Sequence, residues 1–117
     1  MRKLLVLLAV LLPSLALAQV IPVPSTNLSG TIATTNTFQS IQTLNNGRKG
    51  CTIQNQITNS HNMYVYNGAI GSATTAQSAT VAPGQTFSCW VGAAQQVITD
   101  QISITGTAGD YFYASFQ

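Results

Sequence analysis

From Gly30 onward the chain alternates apolar and polar residues in short runs, each ended by a turn signal. Alternation at period two assigns successive side chains to opposite faces of a strand. Arg48–Ile57 reads as a central strand with Cys51 and Ile53 on one face. In Thr86–Val91, Phe87, Cys89 and Val91 share a face. Met63 and Val65 alternate with Tyr64 and Tyr66, and Ile102 pairs with Ile104. At the end of the chain, Phe112, Ala114 and Phe116 alternate against Tyr111, Tyr113 and Ser115.

The punctuation between the runs is equally regular. Asn45-Asn46-Gly47, Asn59-Ser60-His61-Asn62, Asn67-Gly68, Pro83-Gly84 and Gly106–Asp110 are turn sequences; Asn and Gly accept left-handed backbone, and Pro presets a turn's second position. Gly71–Ser78 reads as a loop, and Arg48–Ile57 with Met63–Tyr66 reads as a hairpin. The result is about eight short strands with turns roughly every 8–12 residues. The predicted fold is all-β: a small antiparallel β-sandwich, jelly-roll or Ig-like.

The first residues follow a different pattern. Arg2 and Lys3 precede the apolar run Leu4–Leu12, and Ala16-Leu17-Ala18 fits a small-x-small cleavage site. This is the form of a secretory signal peptide, too short to span a bilayer. The predicted organisation is a signal peptide over 1–18, an arm over 19–29 containing Pro22 and Pro24, and a sandwich domain over 30–117. The predicted location is periplasmic or extracellular, with no membrane span after cleavage.

Removing the leader changes the charge. The whole chain carries +2. The mature part keeps only Arg48, Lys49, Asp100 and Asp110, which sum to zero. Two adjacent cations neutralise few phosphates, so no nucleic-acid partner is expected. Lys49 and Arg48 read as solubilising the exit from the preceding turn. Low net charge with many apolar residues outside the leader is also not a disordered composition.

An exported chain reaches a compartment where disulfides persist. Cys51 and Cys89 each lie on the apolar side of a strand, so a structural Cys51–Cys89 disulfide is the main reading. Two free buried cysteines, or a bridge between chains, are the alternatives. A redox role is not expected without a Cys-x-x-Cys motif.

Candidate chemistry is sparse. His61 is the only histidine, and Asp100 and Asp110 are the only carboxylate side chains. No Gly-x-Ser-x-Gly elbow, metal-ligand spacing or phosphate-cradling glycine loop occurs. The reading is non-enzymatic, with no cofactor and no metal. An enzyme would require a pocket gathering His61 with Asp100 or Asp110. Aromatics are more numerous. Tyr64, Tyr66, Trp90, Tyr111 and Tyr113 fall on the polar side of their strands, a pattern suited to a contact surface for protein or glycan. A neutral surface with exposed tyrosines also allows self-association into a homo-oligomer.

Arg48-Lys49-Gly50-Cys51-Thr52-Ile53-Gln54-Asn55, then Met63–Tyr66, Ala82-Pro83-Gly84-Gln85-Thr86 and Ile102–Asp110 together resemble small β-sandwich modules of bacteriophage virion accessory proteins and of exported proteobacterial proteins. In those modules an R-x-x-x-T-I-Q-N strand is followed by a hydrophobic strand, an A-x-G-x-S/T turn and a closing strand pair. The resemblance covers roughly Gly30–Gln117. It implies a non-enzymatic structural or binding module that assembles with copies of itself or sits on a surface, and it carries over no site residues. The leader departs from a virion protein and points to an exported version. A pilin-like fimbrial subunit and a small secreted hydrolase are the alternatives. The Pro-broken Val20–Pro24 segment is a poor donor strand for a pilin, and the strands are too short for an outer-membrane barrel.

Overall fold

The computed structural model describes residues 24–44, 47–91 and 96–117. The predicted signal peptide, residues 19–23 of the arm, Asn45-Asn46 and the Gly92–Ala94 loop lie outside the described residues. The strands are β1 (Thr26–Asn27), β2 (Gly30–Thr31), β3 (Gln39–Gln42), β4 (Cys51–Asn55), β5 (Met63–Asn67) and β6 (Ala79–Val81). They continue with β7 (Thr86–Ser88), β8 (Trp90–Val91), β9 (Gln96–Val97), β10 (Ile102–Thr105) and β11 (Tyr111–Phe116).

Two antiparallel sheets make a β-sandwich. The five-stranded sheet runs β1-β11-β4-β7, with β2 also on β11, and the four-stranded sheet runs β3-β10-β5-β6. The pairings nest: β2 with β11, β3 with β10, β4 with β7, β5 with β6. A two-stranded ribbon folded over itself in this way is a jelly roll. That order selects the jelly roll over the Ig-like alternative. A further small pair, β8-β9, lies between β7 and β10.

The core is the facing inner sides of the sheets. Ile53, Ala114, Phe112 and Phe116 come from the first sheet; Met63, Val65, Ile102 and Ile104 come from the second. Ile53, Ile102 and Ile104 have no exposed surface. Each such side chain contributes about 1.5–3 kcal/mol by leaving water.

Two expectations need correction. β4 and β5 do not form a hairpin; they belong to opposite sheets. Arched apart, Ile53 and Val65 face one shared core from opposite sheets. Thr86–Val91 is not one strand, because Cys89 sits at a bend between β7 and β8. The described part of the arm reaches the first sheet. Thr26 and Asn27 pair with Phe116 and Ser115, and Leu28 packs on the core.

The crossing from β6 to β7 shows how local sequence directs the topology. Gln85 N donates to Ala82 O at 2.9 Å, and Gly84 has φ +79°. This is a type II turn, whose third position needs the left-handed backbone that glycine supplies. Gly84 N also donates to Asn55 O at 2.8 Å, fastening the turn to the end of β4.

Candidate functional site

Cys51 and Cys89 form the disulfide, with Cα atoms 5.0 Å apart and a sequence separation of 38. Both are buried. The bridge links the start of β4 to the bend after β7, and Cys89 N donates to Cys51 O at 3.1 Å. A buried disulfide fits an extracellular or periplasmic protein. No described helix is long and apolar enough to cross a membrane.

Arg48 does not solubilise a turn. It is only 4% exposed. Its Nη1 donates to Ile98 O at 2.9 Å and Asp100 O at 3.0 Å, and its Nη2 donates to Thr43 O at 3.1 Å. The guanidinium lies 5.3 Å from the centre of the Phe116 ring. Burial pulls its pKa below the ordinary arginine value, and the nearby Asp100 charge opposes that shift. The forked donor set fits three carbonyls that a single ammonium could not serve together. Of the described Lys and Arg side chains, Arg48 is therefore spent internally, which leaves Lys49 as the exposed one.

The five singled-out aromatics divide between two outer faces. Tyr64 and Tyr66 lie on the outside of the four-stranded sheet, opposite Thr105 and Ser103. Both tyrosines are half-buried, and Tyr66 meets Phe38 edge to face at 6.2 Å. The 3-10 turns Ile70–Ser72 and Thr75–Gln77 follow β5, and the second lies against it. Beneath this cover Ser103 and Thr105 are fully buried, and their hydroxyls have no hydrogen-bond partner. This face is largely closed by the chain itself.

The outside of the five-stranded sheet is different. Tyr111 and Tyr113 are 60% and 38% exposed, and Trp90 is 47% exposed. Cα partners across antiparallel strands share a face, so Tyr113, Gln54 and Thr86 form one row and Ser115, Thr52 and Ser88 the next. Gln117 and Gly50 exchange backbone hydrogen bonds in the row after that. Trp90 lies across Gly50: a Cβ built there would stand 3.1 Å from indole Cζ2. A side chain there would push the ring aside by a few tenths of an ångström. No outward position of β1, β2, β4, β7 or β11 carries a charge.

Beside Tyr111 an open groove of about 490 Å³ is lined by Ser29, Gly30, Gln56, Thr58, Tyr111 and Phe112. One wall is held by two asparagines, the buried Asn55 and the half-buried Asn59. Asn55 is 1% exposed, and its Nδ2 donates to His61 O at 2.9 Å and Val81 O at 2.8 Å. Asn59 Nδ2 donates to Asn55 Oδ1 and to Tyr111 O, both at 2.6 Å, and Tyr111 N donates to Asn59 Oδ1 at 3.0 Å. From sequence Asn59 reads as an ordinary turn residue and Asn55 as the end of a strand motif, and neither role is visible until their partners are known.

His61 does meet one carboxylate. Its Nδ1 lies 3.3 Å from Asp110 Oδ2, with His61 56% exposed. The contact joins the turn before β5 to the turn before β11. Neither residue lines the groove. An exposed pair of this kind contributes about 0–1 kcal/mol. Asp100 is elsewhere, with its main-chain oxygen on Arg48.

Comparison with family models, curated proteins and solved structures finds no match. The resemblance to virion accessory modules gains no support from it.

Proposed function

We propose that the protein is an exported, non-catalytic binding module whose working surface is the outer face of the five-stranded sheet. The observation that carries this is the grouping of Trp90, Tyr111 and Tyr113, all exposed, on one uncharged face. Aromatic rings held in water cost solvation that a monomer has no need to bear three times on one face; they are the residues enriched where partners bind. The opposite face, with its half-buried tyrosines, offers no comparable surface.

Support for a self-contained module over a pilin-like subunit comes from the sheet order. The nested ribbon is closed by this chain's own strands, β11 filling the middle of the first sheet. A donor strand from a neighbour has no gap to enter there. The hydrolase alternative rests on His61 and Asp110, which stand outside the groove.

The test compares retention on envelopes and secreted material of the source cells. The native protein is set against a Trp90→Ala, Tyr111→Ala, Tyr113→Ala variant with an unchanged thermal transition. Loss of retention in the variant is expected. Equal retention overturns the assignment of this face, and an ester or glycoside hydrolase activity abolished by His61→Ala overturns the non-catalytic reading.

A further inference from the structure

We infer that the ligand of this face is a neutral oligosaccharide, lying from the groove beside Tyr111 toward Trp90; the inference rests on the reading of this face as the working surface. Four features of the face fit that chemistry.

The first is charge. Polyanions such as nucleic acids or acidic glycans are held by cations. The outward strand positions have none, and Arg48 is turned inward onto carbonyls. A charged peptide would likewise find no counter-charge on these strands.

The second is the alternation of ring and hydroxyl. Between the aromatics stand Thr52, Gln54, Thr86 and Ser88. Hydroxyl and amide groups both donate and accept. Sugar hydroxyls also do both, and the C–H faces of sugar rings are apolar enough to stack on Tyr and Trp. The face supplies both kinds of contact in adjacent rows.

The third is size. At about 3.4 Å per residue and 4.8 Å between strands, the face is roughly 20 Å long and 15–20 Å wide. From Tyr111 to the Gly50 seat of Trp90 is about 20 Å by the same spacings, the length of several linked sugar rings.

The fourth is preorganisation. Rigid sites bind more tightly because less freedom is lost on binding. Asn59 fixes the groove wall to Tyr111, and Gly50 seats the indole. The groove of about 490 Å³ falls within the ~300–1,000 Å³ range of ligand pockets.

The test uses the disulfide-bonded protein and purified polysaccharides. Affinity electrophoresis and depletion assays are run with cellulose, chitin, starch, β-glucan, xylan and galactomannan as neutral probes, and with alginate and polygalacturonate as anionic ones. Retention by at least one neutral polymer is expected. Trp90→Phe and Tyr113→Ser should weaken it by about tenfold or more, some 1.4 kcal/mol, whereas Leu44→Ser, an exposed change off the face, should not. Thermal transitions confirm that each variant folds. Retention by anionic polymers alone, or equally in all variants, overturns the inference. If no polysaccharide is retained but the protein self-associates through Trp90 and Tyr113, the glycan is overturned and the working surface stands. If neither occurs and retention on source material is also unaffected by the variants, both fall.

Discussion

The side-chain amide of Asn59 hydrogen-bonds both main-chain groups of Tyr111, as a neighbouring strand residue would. Tyr111 N donates to Asn59 Oδ1 at 3.0 Å, and Asn59 Nδ2 donates to Tyr111 O at 2.6 Å. The same Nδ2 donates to the buried Asn55 Oδ1. One amide thus extends the sheet, supports the groove and satisfies a core polar group.

Asn59→Asp keeps the acceptor and loses both donations. It sets a carboxylate oxygen against two acceptors, Asn55 Oδ1 and Tyr111 O. The expected loss is about 2–3 kcal/mol at neutral pH, against about 1–2 for Asn59→Ala. The new carboxylate is disfavoured in the folded state, so its folded pKa lies above its unfolded one. Its penalty therefore shrinks as pH falls and the group becomes a donor again. Urea unfolding at neutral and acidic pH measures this; a penalty that grows on acidification contradicts the assignment.

Arg48 binds three carbonyls from residues 43, 98 and 100. Arg48→Lys retains the charge but has no planar fork to reach all three. It should cost about 2–3 kcal/mol, with Arg48→Met similar, because several part-buried hydrogen bonds, each worth about 1 kcal/mol, are lost together. Hydrogen exchange should speed at Gly68, whose N donates to Gln101 O next to the clamp. A change under about 0.5 kcal/mol, the size of an ordinary surface substitution, would return Arg48 to a solubilising role.

The alternating faces were readable from sequence because burial of one side of a strand imposes period two. Cys51 with Ile53, and Phe112 with Ala114 and Phe116, lie inside as that pattern requires. The same pattern cannot say which sheet a strand joins. A hairpin and an arch between β4 and β5 present identical alternation, so the arch was not legible. For the same reason Tyr64 and Tyr66 were grouped with Tyr111 and Tyr113, although they occupy opposite outsides of the sandwich. Arg48 was misread because two of its three acceptors lie about fifty residues on. The meeting of His61 with Asp110 also joins distant turns, and only the topology brings it about.

The Cys51–Cys89 bridge closes a loop of 38 positions. On the chain-entropy model such a loop is worth about 4 kcal/mol. Replacing both cysteines by Ala should lower stability by roughly that amount. Intact mass should show a monomer two hydrogens lighter than the reduced chain. A disulfide-linked dimer on a non-reducing gel would instead indicate the bridge between chains.

Thr105 offers the opposite kind of prediction, a substitution that improves stability. Its Oγ1 is fully buried and has no hydrogen-bond partner, beside Tyr64 on the outer side of β10. An unpaired buried hydroxyl costs about 1–3 kcal/mol relative to a paired one. Thr105→Val preserves shape and β-branching, so it removes the polar group and leaves the packing. It should raise stability by about 0.5–1 kcal/mol. Ser103→Ala removes the neighbouring unpaired hydroxyl but leaves a small gap, so its gain should be smaller. Both variants should bind as the native protein does, because this face is not the one assigned to the ligand. A loss above about 1 kcal/mol in Thr105→Val, beyond what this isosteric change can cost in packing, would mean that the hydroxyl is held by an ordered water. The cover formed by Tyr64 and Tyr66 would then be a hydrated layer, not a dry one.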